Sequence, residues 1–74
     1  MTVKVNQKTQ EYIGKKLRVI REEKKLSQEN IAESIGISNT YYAGIERGEE
    51  NPTVTVIEAV CNVLKVKSSN ILPF

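Results

Sequence analysis

A chain of 74 residues with 39% hydrophobic side chains has material for one small core, and a chain this short buries only about 60% of its unfolded surface, so a dimer interface would help it. There is no histidine and a single cysteine, Cys61, which removes zinc sites, an internal disulfide and the usual nucleophile and acid–base pairs; the expectation is a non-enzyme without cofactor or metal. No apolar run reaches membrane-spanning length and no signal peptide opens the chain, so a cytoplasmic location is expected. The formal charge of +2 divides unevenly: residues 1–25 carry eight Lys/Arg against three Glu, and residues 26–74 carry three against six.

The opening "MTVKVNQK" alternates weakly but has no partner strand nearby, so residues 1–8 read as an N-terminal arm. From about Thr9 to Lys25, Ile13, Leu17 and Ile20 recur at helical spacing, with Tyr12 and Val19 beside them. Lys24 and Lys25 suit the negative end of that helix's dipole. Leu26 then anchors the chain and Ser27 is placed to cap a second helix, "QENIAESI", burying Ile31, Ala32 and Ile35. Gly36 can take the left-handed conformation that ends a helix abruptly.

Ser38 can cap a third helix running to about Arg47, where Gly48 stops it, and "EENPT" reads as a turn. Thr53 or Thr55 begins a helix through Leu64 that buries Val54, Ile57, Val60, Cys61 and Leu64. Cys61 is read as a small buried apolar side chain. Ser68 or Ser69 caps a last short turn near Leu72, leaving Val66, Ile71 and Phe74 as apolar residues near the tail. The chain is therefore expected to be all-α, with five short helices in a domain over residues 9–74.

The third helix has an odd profile. At about 100° per residue from Asn39, Tyr41, Ile45 and Tyr42 fall on one apolar arc, while Asn39, Thr40, Ala43, Gly44 and Arg47 fall opposite. That second arc is slim at Ala43 and Gly44, carries short hydrogen-bonding groups at its N-terminal end and a cation at the far end. A DNA major groove asks for this combination. Taken alone, a solvent face with two poor helix formers explains it equally well. The neighbouring residues favour the groove: helix 2, the turn at Gly36 and helix 3 make a helix-turn-helix over about residues 27–47, with small Ala32 at the crossing and Ile31, Ile35, Ile37 and Ile45 around it. Gln28, in the first turn of helix 2, can hold a phosphate through its amide and the free N–H groups there.

With "IGKKLRVIREEKKLSQENIAESIGIS" and "YYAGIERGEENPTVTVIEAVCNVLKV", the sequence resembles the lambda-Cro/repressor-like family of helix-turn-helix regulators over about residues 13–72. Within it, "NTYYAGIERG" is similar to the controller proteins of restriction–modification systems. The resemblance implies a five-helix DNA-binding domain that dimerises through its C-terminal region. It places Ser38, Asn39, Thr40, Ala43 and Gly44 at groove-facing, base-reading positions, and matches Tyr41 to a tyrosine that reaches the DNA backbone. It also implies that Glu46 pairs with Arg21 as a structural ion pair. Asn39 stands where the controllers commonly carry arginine, which points to adenine as its base. Lys65 stands where a helix-ending glycine is usual.

The function expected is a dimeric, sequence-specific transcription regulator on an inverted-repeat operator in double-stranded DNA. Asn39 and Thr40 would read bases; Gln28, Arg47 and some helix 1 cations would hold phosphates. Acidic Glu49 and Glu50 fit poorly beside DNA and are a candidate surface for RNA polymerase. They also favour the alternative, a phage-type repressor or antitoxin whose main partner is a protein.

Overall fold

Each helix start in the described residues, 6–73 of this computed structural model, is fixed by a side chain that accepts from an otherwise free backbone N–H. Asn6 caps α1 (Gln7–Glu23) through Thr9 N at 2.9 Å, Ser27 caps α2 (Gln28–Ile35) through Asn30 N, Ser38 caps α3 (Asn39–Glu46) through Tyr41 N, and Thr53 caps α4 (Val54–Leu64) through Val56 N. The Asn30 side chain returns the bond to Ser27 N at 3.0 Å, a reciprocal closure in the manner of a capping box. The fold is all-α, but the expected fifth helix is a single 3-10 turn, Ser68–Asn70. Neither Ser68 nor Ser69 caps it; the Asn70 amide reaches back to Lys67 N at 3.2 Å.

Two further boundaries differ from expectation. α1 begins at Gln7 rather than Thr9, because Asn6 caps it; the rest of the expected arm, residues 1–5, lies outside the described residues, as does Phe74. α1 also stops at Glu23, so Lys24 and Lys25 belong to the turn, with Lys25 left-handed at φ 58°. Gly36 takes the left-handed conformation at φ 76°, and Ile37 N then donates to Ala32 O at 3.0 Å.

The core is built from one stripe of each helix: Ile13 and Leu17 from α1, Ile31 and Ala32 from α2, Tyr42 and Ile45 from α3, Val60, Cys61 and Leu64 from α4, closed by Ile71. Val54 was expected inside but is 80% exposed at the first position of α4. Ile57, also expected inside, is half-buried and packs against the edge of the core. The tightest approach is between α1 and α3. A side chain at Gly14 would collide with the backbone carbonyl oxygens of Ile45 and Glu46, so the bare glycine lets the two backbones touch. α3 thus lies on a platform made by α1 and α2, with one side left free.

Candidate nucleic-acid interface

The free side of α3 begins at its N-terminus. Ser38, Asn39 and Thr40 are exposed, and among the described residues the side chains of Asn39 and Thr40 enter no hydrogen bond. The Ser38 hydroxyl accepts from Tyr41 N at 3.0 Å and keeps its own proton for donation. Ala43, half-buried, continues the same side with a methyl group. Tyr42 and Ile45 face the opposite way and are fully buried, so the free side is held at a fixed angle. Tyr41 is half-buried at the flank, where its ring packs against the core cluster.

Gly44 does not lie on this open side as expected. It is buried under Glu50, whose Cγ would stand 2.6 Å from a Cβ placed there, and its carbonyl accepts from Glu49 N at 2.9 Å and Glu50 N at 3.3 Å. The residue is small to admit the loop. Arg47 is exposed at the far end, but its Nη2 lies 3.1 Å from Oε1 of Glu49. Hydrogen bonding to Glu49 and its nearby charge raise the Arg47 pKa.

The Arg21–Glu46 pair has the bidentate form that suits a guanidinium and a carboxylate: Nε to Oε2 at 2.7 Å and Nη2 to Oε1 at 3.0 Å. The third arm of Arg21 donates from Nη1 to Leu26 O at 2.7 Å, holding the turn before α2. Gln28 was expected to face phosphate; its Nε2 instead donates to Glu46 Oε1 at 2.9 Å, which leaves one amide hydrogen and the carbonyl oxygen for another partner. Glu46 is only 6% exposed. Burial by itself raises its pKa, but the bonds from Arg21 and Gln28 outweigh that and hold the carboxyl below its ordinary range. The Tyr42 hydroxyl is buried nearby and has no hydrogen-bond partner among the described residues; burial first, then the nearby Glu46, raises its pKa.

One carboxylate at the end of α3 therefore ties α1, α2 and α3 together. Sequence reading missed three parts of this arrangement: the Gly14 contact, the loop folded over Gly44, and the Gln28–Glu46 bond. Gly14 had a visible signal, since it lies on the same α1 stripe as Leu17 and Arg21 at helical spacing. The other two join positions 6 and 18 residues apart and carry no local signature.

The helix-turn-helix family HTH_3 matches residues 17–70 of the chain. The immunity repressor protein of Bacillus phage phi105 is 38% identical over 60 residues, which is 81% of this chain and 42% of that protein; the chain thus spans less than half of the repressor's length. Among solved structures, the restriction–modification controller protein C.AhdI from Aeromonas hydrophila superimposes with a TM-score of 0.81 at 30% identity, covering 85% of this chain and 96% of that one. The biofilm master regulator SinR, solved in complex with DNA, gives a TM-score of 0.74 at 33% identity over 80% of this chain and 95% of the other. Family, fold and the free side of α3 agree: the chain belongs to the helix-turn-helix family of DNA-binding transcription regulators.

Proposed function

We propose that the chain works as a homodimer on an imperfect inverted-repeat operator, with α3 of each protomer in a major groove and the two half-sites about 34 Å apart. The observation that carries this reading is the pair Asn39 and Thr40: exposed, unclaimed by other bonds, and held at a fixed angle by buried Tyr42 and Ile45. Ser38 and the Ala43 methyl complete the base-facing set; Gly44, covered by Glu50, drops out of it. Arg47, Tyr41 and the free half of the Gln28 amide are the candidates for phosphate, together with the lysines of α1. For the dimer, the support is a groove of about 570 Å³ between α4 and the 3-10 turn, lined by Val54, Ile57, Cys61, Val66 and Leu72, with Val54 open at its mouth.

Control of a restriction–modification system is the specific role we favour, because the C.AhdI controller matches over nearly its whole length while the phage repressor matches over less than half. Such a regulator would act in the cytoplasm, and no described helix is long and apolar enough to cross a membrane. The reading with a protein as main partner drew on Glu49 and Glu50; their engagement with Arg47 and Gly44 supports assigning both to the chain's own α3. The same engagement argues against that pair as a polymerase surface.

The test is to select an operator from random duplexes and compare Asn39→Ala with the parent by fluorescence anisotropy. The loss should be about 1–3 kcal/mol on the operator, with relaxed preference at one base pair. An equal loss on random DNA would show that Asn39 reads no base.

A further inference from the structure

Between residues 27 and 47 the helix-turn-helix contains one cation, Arg47, against Glu29, Glu33 and Glu46. That cation is already engaged by Glu49, at 3.1 Å, with both side chains more than half exposed. The engagement is set up by the backbone. The Gly44 carbonyl accepts from both Glu49 N and Glu50 N, Gly48 makes the reversal at φ 77°, and the aliphatic part of Glu50 fills the space above Gly44. The loop therefore returns over the end of α3 and sets the Glu49 carboxylate beside the guanidinium.

We propose that Glu49 is a built-in competitor for the DNA phosphate that Arg47 would otherwise hold, and that it thereby raises the protein concentration needed to fill an operator. This deepens the DNA reading above and rests on it. An exposed ion pair is weak, so a phosphate can displace Glu49 in the complex. The displacement weakens every complex alike, because a backbone contact carries no base information. Such a uniform offset positions the concentration at which regulation begins.

The experiment compares Glu49→Gln with the parent on a selected operator and on random duplex, from 50 to 200 mM salt. The variant should bind both more tightly by the same factor, roughly two- to fivefold for each protomer engaged. Its log–log salt dependence should steepen by up to about 0.9 per protomer, as one more uncompensated cation displaces counterions. In an Arg47→Ala background the same substitution should change neither quantity. No tightening, tightening confined to the operator, or an undiminished effect without Arg47 would each overturn the proposal. A parent chain that selects no duplex at all would bring down the DNA reading and this proposal with it, whereas a parent that binds beside an unchanged variant brings down this proposal alone.

Discussion

Glu46 is the one buried charged residue of the core among the described residues, and both Arg21 and Gln28 donate to it. Removing it by Glu46→Ala strands the Arg21 guanidinium and the Gln28 amide in a half-buried site, at a cost on the order of 3 kcal/mol. Calorimetry should record a melting temperature lower by more than 10 °C, given roughly 4–8 °C per kcal/mol for a domain this small. The depressed carboxyl also sets a pH dependence. Its stabilisation is complete above the ordinary glutamate range, near pH 4.3, and fades as the pH falls through the lower folded value. Urea unfolding between pH 7 and pH 3 should therefore show a steep loss in the parent and a shallower one in Glu46→Gln, which has no such proton to take up. A slope unchanged by that substitution would assign the acid sensitivity to other carboxylates.

The starts of α2 and α3 were readable from the sequence because a cap is a local device: Ser27 and Ser38 each act on an N–H three residues away, whereas the Asn6 cap of α1 was missed and Thr53 was not separated from Thr55 for α4. The stop at Gly36 was readable for the same reason. Lys65 shows how far this logic extends. It ends α4 in the left-handed conformation at φ 58°, where a side chain is strained and glycine is not. Lys65→Gly should therefore stabilise the domain by about 0.5–1 kcal/mol, the relief of strain exceeding the added freedom of the unfolded chain. A lower melting temperature would mean that the lysine side chain contributes a contact of its own. Long-range contacts were less legible. Gly14 was passed over as one more helical residue and Gly44 was given to the groove, though each is small to let another segment of chain approach. In the candidate site, the polar N-terminal end of α3 was legible from the residues and the Arg21–Glu46 pair through the family resemblance alone; the loop over Gly44 was not, since nothing in "GEEN" says which way it folds.

For the molecule as a whole, the decisive quantity is how much apolar surface α4 leaves uncovered. Val54 and half-buried Ile57 line the groove that the proposed dimer would close. Val54→Glu puts a charge into that surface while costing the isolated domain little, because the residue is mostly solvated and an acid is tolerated at a helix start. On the proposed dimer, sedimentation should find the parent dimeric and the variant monomeric at the same concentration, and operator binding should fall more than half-site binding. A dimer that survives the substitution would move the interface elsewhere. The bond from Arg21 to Glu46 has one more consequence, for anyone wishing to transplant this specificity. Residues 27–47 form two eight-residue helices, too short to persist alone in water, and the clasp that aligns them is supplied from outside the segment. An excised peptide should be largely unstructured by circular dichroism, and a chimera would need to import a guanidinium at the matching place before it inherited any of the parent's taste in DNA.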